Sequence, residues 1–343
     1  MQAQAQEQLT TPPPARVSRP SRLPLGSGFK TPLSHRLAEG MIRGIALLAI
    51  LAIASIFLVV AKEALPLFFE HDAIDEIGGL DALLFARTWP GYETARHIWQ
   101  PVGSIPKFDM VPLFTGTLKV TVLSMLIATP LSLLSAIYVS QYAGRRTREW
   151  LKPAIELLAS VPSVVLGFFA LMVLATVTQS VLGTTYRLNA LVASMALSLA
   201  VIPIIFTITE DALRAVPREM EAAALALGAH KHQVILRVTL PAALPGIAAA
   251  VILGLGRAIG ETMVVLMASG NAAVIELFNP VSSARTITAT LASELGEVTP
   301  GDAHWRVLFL LGTVLFIFTF IINRVGANVI ERLRRRLSAE AAS

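Results

Sequence analysis

Cysteine is absent from the 343 residues and charge is scarce. The first absence removes structural disulfides, thiolate metal sites and cysteine nucleophiles together. The second is more informative, because Asp, Glu, Lys and Arg make up 15% of the chain against about a quarter in an ordinary soluble domain. No GxxxxGK[ST] phosphate loop occurs, so nothing here cradles a nucleotide in that way, and Gly254-Leu255-Gly256 reads as close helix packing. No cluster of acid, base and nucleophile sits near a span end. Neither a cofactor nor a metal is called for, since His230 and His232 lack a third and fourth ligand nearby.

What is present is apolar. Hydrophobic residues reach 54% and the mean hydropathy is +0.66, which fits repeated crossings of a lipid bilayer, where lipid-facing and core-facing positions must both be apolar. The net charge of +5 does not indicate nucleic acid, because the basic residues gather in short clusters between apolar runs and form no continuous face.

Runs of about 20 apolar residues predict six spans, near 44–61, 120–144, 157–177, 188–209, 245–268 and 307–323. The fold class is therefore all-α, a polytopic membrane helix bundle. With the N-terminus inside, the inner segments hold 19 of the 28 Lys and Arg residues, so the positive-inside rule places both termini in the cytoplasm. Eight more fall in the outer segments, including a long acidic one from about Lys62 to Lys119, and Arg257 lies within a span. Residues 1–40 read as a disordered basic cytoplasmic tail, with Pro12, Pro13 and Pro14 in a row. Residues 41–343 read as the membrane domain. The first apolar run starts too late for a signal peptide and stays as an anchor.

The segment 210–245, EDALRAVPREMEAAALALGAHKHQVILRVTLPAALP, is a cytoplasmic loop between spans four and five. Its centre is amphipathic, and Gly228 breaks it into two short helices. Amphipathicity alone fits a re-entry loop lying on the membrane surface equally well. In span five, Arg257 and Glu261 stand four residues apart, on one face of a helix. Charges at membrane depth pair with one another or line a substrate path, and both readings apply to this pair. In the second, the planar donors of Arg257 receive a tetrahedral oxyanion and Glu261 moderates the grip. Pro162 and Ser163 read as a kink or as a gating or lining position. Arg285 and Glu294 read as solvated charges.

The 210–245 loop resembles the EAA loop of ATP-binding-cassette importer permeases: Glu-Ala-Ala, three residues, Gly, nine residues, Ile, one residue, Leu-Pro. Gly228, Val238, Leu240 and Pro241 fall in register. Ala222, Ala223 and Ala224 occupy the Glu-Ala-Ala positions, and the glutamate stands one residue early, at Glu221. Span five resembles the phosphate-importer permeases in Gly254 to Thr262 with Gly270 and Asn271. So do SVPSVVLGFF (Ser160–Phe169) and TITATLASEL (Thr286–Leu295). The Thr-Met after Glu261 favours a PstC-like over a PstA-like subunit.

The resemblance implies a type I importer permease with six spans in the bacterial inner membrane. It implies an ATPase subunit dimer docking on Glu221, Ala222, Ala223, Gly228, Leu240 and Pro241. It further implies a second, PstA-like permease, a periplasmic phosphate-binding protein, and phosphate as cargo passing Arg257, Glu261, Thr262, Ser163 and Asn271. The chain itself would not be an enzyme. Sulfate or molybdate as cargo, or a self-contained secondary anion transporter or channel with Arg257 as selectivity charge, are the competing readings.

Overall fold

The computed structural model describes residues 33–340, with side chains from 37 to 336. Most of the predicted tail lies outside the described residues, and helix α1 (Leu33–Ala64) takes in its last positions. Contacts group residues 1–54 and 55–343 as two units. Within the first, α1 exposes apolar side chains continuously from Met41 to Ile53.

The second unit holds the rest. After α1 come α2 (Pro66–Phe69), α3 (His71–Glu76) and a hairpin of β1 (Trp99–Gln100) and β2 (Lys107–Phe108), antiparallel with Trp99 opposite Phe108. Then follow α4 (Val111–Ile137), α5 (Arg145–Ser160), α6 (Ser163–Phe169), α7 (Ala175–Leu182) and α8 (Ala190–Arg214). The chain continues through α9 (Arg218–Ala226), α10 (Lys231–Val234), α11 (Leu240–Gly260), α12 (Met263–Ala268), α13 (Ile287–Glu294) and α14 (Ala303–Glu340). Wider π-helical turns at 138–142, 170–174 and 235–239 follow α4, join α6 to α7 and join α10 to α11. Each adds a residue to the repeat and shifts the side-chain register beyond it.

Among the described residues, six helical stretches are long and apolar enough to span a bilayer: Leu37–Phe69, Val111–Tyr142, Ser163–Leu182, Ala190–Arg214, Lys231–Gly260 and Ala303–Arg336. The number agrees with the sequence reading, but the boundaries move, and three of the shifts bear on the site. The second stretch begins at Val111, where Pro112 suits a first helical turn, so Lys119 sits inside it. The third begins at Ser163, because the chain turns extended at Val161 and Pro162. Residues 157–160 belong instead to α5, an amphipathic helix with no buried residue. The fifth stops at Gly260, since Glu261 is extended (φ −72°, ψ 133°).

The helix α8 is the hub, packed against α4, α5, α11 and α12. Its Ala193, Ala196, Ala200 and Val201 are buried, and small residues let neighbouring backbones approach. A Cβ at Gly254 of α11 would lie 2.6 Å from the Ile205 side chain of α8, so any larger residue there would push that side chain aside. At one end, residues 64–110 form a cap: Leu67, Ile77, Leu83, Trp99 and Phe108 share a core with Leu113, Ile287, Val307 and Leu311. At the opposite, loop end, Ala136, Val139, Phe206, Leu213, Val216 and Ile247 form another.

Candidate functional site: a surface helix and a broken span

At the loop end, α8 runs out at Arg214, and Pro217 turns the chain into the short helix α9. Gly228 ends the turn after α9 with φ +84°, a left-handed conformation glycine adopts without penalty. The return runs through α10 and the π turn into α11, whose first turn carries Leu240 and Pro241, both half-buried. Ala222, Ala223, Leu225 and Leu227 are exposed, Leu227 at 90%. Glu221 points the other way and accepts a hydrogen bond from Thr239 Oγ1 at 2.9 Å. The displaced glutamate thus ties α9 to the returning helix and leaves Ala222 and Ala223 on the exposed face beside Glu219. One residue of shift is about 100° of helix, enough to account for this.

Behind the loop, Glu210 is fully buried at the end of α8. Lys152 of α5 donates to its Oε2 at 2.7 Å, and Arg214 to its Oε1 at 3.3 Å. The hydrogen bond with Glu210 holds the Lys152 ammonium above its ordinary pKa, against the opposing effect of burial. This pair fixes α5 to the helix from which the loop departs.

In the fifth span the predicted ion pair is not formed. Because α11 stops at Gly260, the stacking that brings residues i and i+4 together ends there, and among the described residues no ion pair includes Arg257 or Glu261. Arg257 is exposed on the chain, one turn before the break. The carbonyl of Glu261 accepts from Thr288 Oγ1 at 2.8 Å, which joins the break to α13. Thr262, half-buried, donates to the Gly260 carbonyl at 3.4 Å. Ser163 opens α6, which lies against α12, where a Cβ on Gly167 would meet the Met263 carbonyl at 3.1 Å. Asn271 lies beyond α12 with φ +50°, and its buried Oδ1 has no partner among the described residues. The break therefore gathers Glu261, Thr262 and α13, whereas no side-chain bond joins Ser163 or Asn271 to Arg257.

Two groups escaped the sequence reading. Lys119 is 4% exposed in α4, and its Nζ donates to Ser282 Oγ at 2.6 Å. It stands at the edge of an apolar run, and its partner is 163 residues away, so only the late start of that run could have marked it. Arg285 and Glu294 are not solvated, with side chains 16% and 13% exposed. Arg285 pairs with Glu294 Oε1, which also accepts from Trp99 Nε1 at 3.1 Å, while His304 Nε2 faces Oε2 at 2.9 Å. In the cap, Asp109 Oδ1 accepts from the Val111 amide at 2.9 Å, and Oδ2 lies 2.6 Å from His97 Nδ1. Burial pushes the Asp109 carboxyl up, outweighing both bonds.

Six apolar stretches among the described residues, small residues buried along the fourth, a surface helix between the fourth and fifth, and an exposed arginine on the fifth define a multi-pass membrane permease of the type I importer fold. The chain belongs to the family described as the binding-protein-dependent transport system inner membrane component, which matches residues 128–337. The phosphate transport system permease protein PstC of Mesorhizobium japonicum is 33% identical over 290 residues, covering 77% of this chain and 87% of that one. The probable ABC transporter permease protein YqgH of Bacillus subtilis is 35% identical over 65% of this chain and 72% of its own length. Among solved structures, a bacterial importer of the acidic polysaccharide alginate aligns with TM-score 0.52 at 17% identity, over 87% of this chain and 99% of that one. An inward-facing methionine transporter, MetNI, aligns at 0.50 and 20%, over 65% and 97%. These two likenesses concern the fold.

Proposed function

We propose that this chain is a permease subunit of an ATP-driven phosphate importer, resident in a bacterial cytoplasmic membrane with both termini in the cytoplasm. Residues 1–40 form a cytoplasmic tail in this reading, and residues 41–343 the membrane domain. The carrying observation is Arg257: an exposed guanidinium one turn inside an apolar span, without an acid partner among the described residues. Lipid cannot accept such a group, so it faces an aqueous path or a second subunit. The PstC relatives, 31–33% identical over most of the chain, supply the nature of the cargo.

A PstA-like permease completes the path, with Arg257, Glu261, Thr262, Ser163 and Asn271 along it, and a periplasmic phosphate-binding protein delivers to the cap end. The exposed face of α9 enters a groove on an ATPase dimer. Ala222, Ala223, Gly228, Leu240 and Pro241 shape that contact, and Glu221 braces it from within. Closure of the ATPase dimer then moves α9 and rocks the spans. Hydrolysis belongs to the partner, and this chain is no enzyme.

The test is phosphate uptake by cells that rely on this importer. Arg257→Ala abolishes uptake while the ATPase still co-purifies with the chain. Undiminished uptake would remove Arg257 from the path, and transport of sulfate or molybdate in place of phosphate would replace the cargo.

A further inference from the structure

We propose that the loop end carries a binding pocket for a phosphate-type oxyanion, walled by Arg148, Arg214, Arg218 and Lys231. These four cations line one cavity of about 300 Å3 together with Glu221, Ser140 and neighbouring residues. They come from four elements: Arg148 from α5, Arg214 from the end of α8, and Arg218 and Lys231 from the first positions of α9 and α10. Four positive groups meet one lining carboxylate, Glu221, and Glu210 pairs with Arg214 from behind, so the wall keeps an excess of positive charge. Like charges converge on a small cavity at a Coulombic cost that an anion offsets.

The nearby carboxylates are already engaged. Glu210 binds the Lys152 ammonium through Oε2 at 2.7 Å and Arg214 through Oε1 at 3.3 Å, so Arg214 enters the wall already paired on one side, and Glu221 is bonded to Thr239. Arg148 is fixed in place by the carbonyls of Val139 and Ser140, at 2.8 to 3.1 Å. Lys231 lies over the Tyr142 ring at 5.0 Å, and Arg218 enters no ion pair among the described residues. Guanidinium forks match the paired oxygens of a phosphate group. The volume corresponds to about ten waters, room for that group and part of its hydration.

Two sources share this chemistry: free inorganic phosphate, and the headgroup of an anionic phospholipid. Either would bridge Arg218 and Lys231, on the two arms of the α9–α10 loop, to Arg148 and Arg214 on the bundle. Occupancy therefore restrains the loop, and with free phosphate the restraint grows as cargo accumulates on that side. The regulatory consequence rests on the transport reading above, whereas the binding does not.

The experiment uses the full chain in nanodiscs, with Arg257→Ala as background so that the path contributes nothing. Radiolabelled inorganic phosphate is titrated in neutral phosphatidylcholine discs, and phosphatidylglycerol retained from mixed discs is counted by native mass spectrometry. The comparison is Arg218→Gln with Lys231→Gln, two exposed positions, and unchanged thermal unfolding verifies the fold. Phosphate binding that weakens at least about tenfold in the double variant, a difference of about 1.4 kcal/mol, supports the free anion. Phosphatidylglycerol retention that falls to the same degree supports the headgroup. If neither ligand binds, or binding is indifferent to the two substitutions, the proposal is overturned.

Discussion

Replacing Lys152 with methionine leaves a carboxylate in the bundle with half of its support. Glu210 is fully buried, so it cannot recover its hydration. Breaking a buried pair by removing one partner costs about 3–5 kcal/mol. Two features lower that figure here. The Lys152 side chain is 25% exposed, so water already screens the pair, and Arg214 remains at 3.3 Å. About 2 kcal/mol is expected for Lys152→Met, roughly a thirtyfold change in the unfolding equilibrium.

The reverse substitution is milder. Glu210→Gln leaves Lys152 within reach of Asp211 at 3.5 Å and Glu156 at 3.9 Å, and about 1 kcal/mol is expected. In the double variant no buried charge is stranded, so its stability returns to within about 1 kcal/mol of the parent. The readout is reversible unfolding in the same detergent at neutral pH. The folded-state pKa of Lys152 is raised, so its contribution is complete below its unfolded value and is lost only as pH climbs through the higher folded one. Equal losses for both single variants, or additive losses in the double, would refute the assignment of the penalty to the stranded carboxylate.

Gly228→Ala places a Cβ at φ +84° and should cost about 1–2 kcal/mol locally, seen as lower ATPase co-purification with the bundle's thermal midpoint held. Thr239→Val removes the hydrogen bond to Glu221 and should cost about 1 kcal/mol, with faster proteolysis of the 215–230 segment as the measure. The raised Asp109 pKa makes the charged carboxylate a burden, so this group's stabilising effect is complete below its unfolded value and fades as pH rises through the folded one. Asp109→Asn keeps an oxygen for the Val111 amide, and its thermal midpoint should therefore vary less with pH across the window just above 3.8.

Spans were legible because hydropathy is a one-dimensional property, and the Gly228 to Pro241 spacing was legible because a turn and a helix entry have local residue requirements. What was missed had two causes. At 157–161 the run stays apolar while the backbone changes direction, and at 261–262 a polar Glu-Thr pair is outweighed by its apolar flanks, so averaged hydropathy cannot register either break. Lys119 with Ser282, and Glu294 with Trp99, are pairs made only by the folded chain, 163 and 195 residues apart. The intrahelical pairing of Arg257 with Glu261 failed for the first reason, and the solvated reading of Arg285 and Glu294 for the second.

The Glu294 carboxylate also sets an order in time. Trp99 is synthesised 195 residues before the carboxylate it donates to, and His304 follows ten residues after. At about 5–20 residues per second, the cap's tryptophan waits roughly 10–40 seconds for its acceptor. Until α13 and α14 arrive, the cap lacks both this acceptor and the Ile287, Val307 and Leu311 side chains of its core. The cap therefore closes late, although the first part of it is made early.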